Sequence, residues 1–420
     1  MKKLLCVFLL LSTCICFGQR NDNVWIMGYD GPSGPPWGGI HFSFNGDTLN
    51  QSWFNVPIWL DNTNASICDT SGNLLFYTNG AVIINKNNDT LLNGDSLSPC
   101  QFTHDFGPYG LTTPQGALIL PMPDNSNIYY LFHETMTYDG YADHILFSII
   151  DMSLDGGKGG VTNKNMPLIN DSMAGGLITS VRHANGRDWW VAIPTFGGDK
   201  IYIFLLSPDG ITDVHAQTVG ASNNHYLLNQ AVFSPDGSIY ARSEYIDGGF
   251  YVYDFDRCTG VFSNSRYIQQ TPIKPGGLAI SPNSKVLYVS AHDTIFQFDL
   301  TTGNIAGTQQ IVAVYDSFAS PFGSTFFQQE LAPDGKIYIS CGNAENVIHV
   351  IDYPDSLGLA CHVCQHCVQL PAYLAWGLPN YPNFRLGALV GSPCDTLHIG
   401  VVEAPNLISG KIFPNPARDW

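Results

Sequence analysis

FSPDGSIYARSEYIDGGFYVYDFDRCTG, at residues 233–260, recurs as ISPNSKVLYVSAHDTIFQFDLTTG at 280–303 and as LAPDGKIYISCGNAENVIHVIDYPD at 331–355. The copies start 47 and 51 residues apart. Each opens on a hydrophobic residue and a Ser/Ala-Pro-Asp/Asn turn. Proline pre-sets one backbone dihedral of that turn, and the Asp or Asn side chain bonds the chain two residues on. A strand follows, then a second turn, then an alternating strand such as Tyr251, Tyr253, Phe255 or Ile295, Phe296, Phe298. Period-2 alternation places one side of each strand in a core.

Weaker copies extend toward the N-terminus: 178–210, then 116–134 continuing to 144–159, then 65–91, and a first unit over 24–60. Seven units over residues 21–390 average about 53 residues, the length of a propeller blade. The sequence therefore predicts an all-β fold, a seven-bladed β-propeller with four-stranded antiparallel blades, over residues 19–395. Six or eight blades and a β-sandwich array are the structural rivals. Part of 368–390 is expected to close the ring by joining the last blade to the strand near Val24–Met27.

Composition agrees with that architecture. The chain has 420 residues, 42 Gly and 26 Pro, 12% aromatics and only 13% charged residues, which suits short strands and tight turns rather than a coiled coil or helical bundle. Lys+Arg number 18 against 35 Asp+Glu, a net charge of -17. Such an acidic chain is a poor partner for nucleic acid or an anionic membrane surface.

Residues 1–18, MKKLLCVFLLLSTCICFG, carry two lysines, an apolar run and small residues, the three-part pattern of a secretory signal peptide. Cleavage is expected after Gly18; a lipoprotein at Cys14 is disfavoured by Thr13. No other apolar stretch approaches membrane length. Three of the 11 cysteines leave with this segment. The remaining eight permit disulfides in an exported chain, without fixing which of the 105 complete pairings forms.

Several motifs, in order, carry a family resemblance: VWIMG at 24–28, SICDTSGNLLFYTNG at 66–80, TPQGALILPMP at 113–123, VRHANGRDWWVAI at 181–193, LAPDGKIYIS at 331–340 and GLPNYPNFRLG at 377–387. With them the chain resembles the N-terminal propeller region of proteins exported by the Bacteroidetes type IX secretion system. The tail GKIFPNPARDW, 410–420, resembles the first strand of that pathway's C-terminal sorting domain, after a linker over 396–409. Such a domain normally continues well past PNP, so residues 410–420 read as the start of a truncated one. The resemblance implies a secreted or cell-surface location, with the type IX machinery as a partner if the full sorting domain exists. It transfers no catalytic residue.

The densest reactive cluster is Cys361-His362-Val363-Cys364-Gln365-His366-Cys367. Its spacing admits tetrahedral Zn²⁺, but adjacent ligands rarely reach one ion, and disulfides involving Cys341, Cys361, Cys364, Cys367 and Cys394 are the favoured expectation. Asp236, Asn283 and Asp334 share one turn position; Ca²⁺ is the alternative to turn chemistry there. Asp155-Gly-Gly-Lys-Gly-Gly160 lacks phosphate-loop spacing. His133, Glu134, Asp143 and His144 would serve acid–base chemistry only if they met at the central channel. His183 and Asp188 flank an Asn-Gly hairpin, with Trp189 or Trp190 between blades. No metal or cofactor is assigned.

Trp37, Tyr109, Tyr138 and Tyr141 lie in turn-rich insertions, where rigid aromatics make platforms for glycan or peptide. The sequence therefore predicts a secreted or cell-surface, non-catalytic propeller that binds an extracellular protein or glycan, with these four as ligand-binding candidates. The alternatives are a secreted hydrolase or lyase acting on polysaccharide or peptide, and a structural spacer.

Overall fold

The computed structural model describes residues 19–220, 228–246, 248–269 and 275–395. Its strands form seven antiparallel sheets in chain order, over 24–54, 65–85, 117–173, 179–218, 231–269, 277–314 and 326–374. These are the blades of a seven-bladed β-propeller, each a meander of sequence neighbours. Five have four strands and the first two have three. The expected signal segment (1–18), linker (396–409) and tail (410–420) lie outside the described residues.

The repeated turns form as their residues dictate. Asp236 Oδ1 accepts from the Ser238 N–H, Asn283 Oδ1 from that of Lys285, and Asp334 Oδ1 from that of Lys336. Each side chain spans two residues and fixes the link between inner strand and second strand. Apolar faces of neighbouring blades then meet in separate clusters. Trp25, Phe42, Phe44 and Tyr338 join blades 1 and 7; Phe250, Val252, Leu287 and Phe298 join blades 5 and 6. Trp25 is fully buried, its ring 5.1 Å from Phe44 and 5.8 Å from Tyr338. A side chain of that size contributes roughly 3 kcal/mol by burial, and no single blade covers both of its own faces.

Blade 1 departs from the pattern. Its first strand, Val24–Gly28, runs antiparallel to the inner strand of blade 2: the Cys68 N–H donates to Asn21 O, while the Leu60 N–H donates to Tyr29 O. Gln115 and Leu177, at the starts of the next two inner strands, instead pair in parallel. Blade 1 therefore has the outer three strands of a blade and no inner one. In blade 2 the outer position is held by two isolated bridges, Ile84 with Thr90 and Leu92 with Gly160 of blade 3.

The missing inner place is taken by the chain beyond the last blade. Residues 363–374 form the outer strand of blade 7, and Ala375 donates its N–H to Gly28 O. From there the chain runs along the ring axis as an irregular segment touching blade after blade.

Candidate functional site

Residues 375–395 form an axial strap. Gly377 lies against Asn62, where a Cβ would sit 2.1 Å from the Asn62 carbonyl oxygen, so only glycine fits. Asn64 Nδ2 donates to Gly377 O, and Gln328 Oε1 accepts from the Leu378 N–H. Asn380 sits at the centre: its Nδ2 donates to Ala117 O at 3.0 Å and Ile178 O at 2.8 Å, and its Oδ1 accepts from Gln115 Nε2 at 3.2 Å. Tyr381 OH donates to Val24 O. Further on, Arg182 and Arg257 donate to the carbonyls of Phe384 and Gly387. Leu389 donates its N–H to Ala184 O, and Cys394 is disulfide-bonded to Cys258.

Glutamines at the heads of inner strands complete this girdle. Gln115 spans from blade 3 to the backbone of Ala231 in blade 5. Gln230 reaches the backbone of Leu278 and Gln329, in blades 6 and 7. These backbone groups have no ladder partner on the axial side, and buried amides leave few groups unsatisfied.

At the end of the axis near the repeated turns, Arg385 of the strap holds Asp22, with Nη1–Oδ2 at 2.5 Å and Nη2–Oδ1 at 2.8 Å. Burial still pushes the Asp22 carboxyl above its ordinary range. Glu330, on the inner strand of blade 7, is pushed well up by burial and by Asp22. Together with Gln329, Ser180 and Tyr381 these groups line a cavity of about 260 Å³.

The opposite face is where each outer strand leads into the next blade. Here a row of five rings runs edge to edge across blades 7, 1 and 2. Tyr373 lies 4.7 Å from Trp37, Trp37 5.6 Å from Tyr29, Tyr29 5.3 Å from Trp59, and Trp59 4.6 Å from Tyr109. Four are half-buried and Tyr109 is exposed. Trp53 donates its indole N–H to Trp37 O, which fixes the loop carrying Trp37. Tyr138 stands 61% exposed beside Phe102 with its hydroxyl on Asp105, and Tyr141 packs on Phe196.

The structure thus brings Trp37 and Tyr109 into one row, with Tyr138 and Tyr141 together on one loop of blade 3. Tyr29, Trp59 and Tyr373 escaped the sequence reading: Tyr29 and Tyr373 sit at strand ends, in VWIMGYD and PAYLAW, where an aromatic reads as core, and Trp59, in the link VPIWLDN between blades 1 and 2, is flanked by apolar residues.

The other expected residues are placed as follows. His133 is fully buried between Ser98 Oγ at 2.9 Å and Ser148 Oγ at 3.0 Å, and burial pushes its imidazole down to about 3. Glu134 accepts from Thr113 Oγ1 and the Gly176 N–H, and burial pushes its carboxyl up to about 7. Asp143 holds Thr135 and His144. None of these four lines the axial cavity. His183 and Asp188 belong to the hairpin: the Asn185 side chain bonds Asp188, Trp190 donates to Arg257 O, and Trp189 lies under the Arg182 guanidinium.

Among the cysteines, Cys364 is bonded to Cys367, and Cys394 to Cys258, a residue outside the expected set. Cys341 and Cys361 are free thiols, which corrects their place among the disulfide candidates. Cys341 points into the core of blade 7 beside Val347 O and His349, and burial pushes its thiol well up. Cys361 packs in the core between blades 6 and 7. Among the described residues no three His, Cys, Asp or Glu side chains converge as a metal group.

No protein-family model matches this sequence, and no curated protein does. Solved structures do match in shape. One is a Lactobacillus plantarum protein, TM-score 0.52 at 13% identity, covering 86% of this chain and 99% of that one. Another is a Bacteroides uniformis protein provisionally assigned as a 6-phosphogluconolactonase, TM-score 0.52 at 16% identity, covering 84% and 98%. At these identities the likeness establishes the propeller fold alone.

Proposed function

We propose that this chain is an exported, non-catalytic recognition module that binds a glycan through the aromatic row of Tyr373, Trp37, Tyr29, Trp59 and Tyr109. The row itself carries the reading. Five rings held at contact distance across three blades present flat apolar faces with polar tips, the surface against which sugar rings stack. Holding them rigid lowers the ordering cost of binding.

A secreted hydrolase or lyase is the second reading, and the paired carboxyls Asp22 and Glu330 at the axis are its support. Against it, Asp22 is engaged by Arg385, and among the described residues no histidine lines that cavity. Glycan-array binding by the whole chain, beside Trp37→Ala, tests the proposal. Saturable binding lost in the variant supports it. No binding at high protein concentration removes the glycan reading and leaves a protein partner or a spacer role.

A further inference from the structure

Cys364 and Cys367 lie three residues apart in the outer strand of blade 7, where a regular extended chain would hold their Cα atoms about 10 Å apart. They stand 5.7 Å apart, within bridging distance, because the strand bulges. Val350 pairs with Cys364 and Ile348 with Val368, so His349 alone faces Gln365, His366 and Cys367, and His366 takes a left-handed φ of 43°. The bulge has its own fastenings. The His366 N–H donates to His349 Nδ1, and Gln365 Nε2 donates to Val314 O at 2.9 Å. The His366 imidazole lies 2.9 Å from Asp316 Oδ2 and stacks on Phe318.

A bridge across three residues constrains the unfolded chain little, whereas Cys258–Cys394 closes 136. Stability therefore does not account for this second disulfide. Its position is open: Cys367 is exposed and Cys364 half-buried, and both line a cavity of about 270 Å³ with Asp47 and Leu49 of blade 1 and Lys336 of blade 7. Exposed disulfides are the labile ones. We infer that Cys364–Cys367 is a thiol–disulfide exchange site that accepts two electrons from a dithiol. A thiolate of the donor bonds to the exposed Cys367 Sγ, the Cys364–Cys367 bond breaks, and its electron pair goes to Cys364 Sγ. The donor's second thiolate then attacks its own sulfur in the mixed disulfide and releases Cys367. The donor leaves as a disulfide, and the two protons it shed end on Cys364 and Cys367. The fastenings of Gln365 and His366 involve no sulfur, so they keep the opened pair close for re-oxidation. No residue of the aromatic row takes part.

Equilibration of the whole chain with graded ratios of reduced to oxidised dithiothreitol, followed by alkylation and peptide mass mapping, tests this. Cys364 and Cys367 are expected to be labelled at a ratio at least about tenfold lower than Cys258 and Cys394, with near-ultraviolet dichroism unchanged. With glutathione as a one-thiol probe, the trapped adduct is expected on Cys367. Opening of both disulfides at one ratio, or of Cys258–Cys394 first, overturns the inference. Loss of the tertiary signal as Cys364–Cys367 opens, or an adduct confined to Cys364, overturns it equally.

Discussion

Arg385 grips Asp22 in a two-pronged ion pair across 363 residues of sequence, tying the strap to the start of the first blade. Circular propellers must join their ends, and here the join is a side-chain clasp with an axial segment rather than a shared strand ladder. Arg385→Ala leaves the Asp22 carboxyl buried without its partner. Because the guanidinium is about one-third exposed, the cost is expected near 2 kcal/mol rather than the full value of a buried pair. Urea unfolding measures it, and a midpoint equal to wild type would remove the clasp from the account.

Asn380 is expected to matter at least as much. Its side chain serves Ala117, Ile178 and Gln115 at once, so Asn380→Ala strands two carbonyls and one amide inside the ring. A loss of about 2–3 kcal/mol is predicted, read as a lowered melting temperature. Asn380→Asp restores the acceptor but neither donor, and is expected to recover little.

The Cys258–Cys394 disulfide closes 136 residues and pins the far end of the strap. Cys394→Ser is expected to cost about 2–4 kcal/mol. Peptide mapping under non-reducing conditions should show Cys258 with Cys394 and Cys364 with Cys367. It should also show Cys341 and Cys361 alkylated only after denaturation.

Acid sensitivity has a local source in His133. Its folded value lies near 3 against an ordinary 6.5, so across that interval the unfolded chain holds a proton that the folded chain refuses. Stability from this group is present above 6.5 and is lost as pH falls toward 3. His133→Gln should therefore be less stable than wild type at pH 7, and the gap should narrow by pH 4. A gap constant with pH, measured by denaturant titration, would place the proton elsewhere. Glu134 acts with the opposite sign, since its value raised to about 7 makes its contribution fall as pH rises from 4.5.

What the sequence disclosed follows from range. The Ser-Pro-Asp-Gly, Ser-Pro-Asn and Ala-Pro-Asp-Gly turns are local devices, so blades 5 to 7 were legible from spacing. Blades 2 and 3 were less so, because a 14-residue bulged strand, Gly160–Met173, and a pair of isolated bridges replace the regular period. The closing role of the stretch after the last blade was legible in outline. Its axial course was not, because GLPNYPNFRLG has loop chemistry and its contacts run from side chains to backbone or to another side chain across 130 to 363 residues. Of the aromatic row, the loop members Trp37 and Tyr109 stood out. Tyr29, Trp59 and Tyr373 did not, since the exposure of an aromatic beside an apolar run depends on which blade stands next to it.

The most direct test of the aromatic row as a binding platform is tryptophan fluorescence during titration with a glycan selected on the array. Trp37 and Trp59 lie in the row, so binding is predicted to give a saturable emission change. Trp37→Ala should reduce that change and weaken affinity at least about tenfold, and Tyr109→Ala should weaken it less. A glycan that binds with no change in emission, and with equal affinity in both variants, would contradict the account.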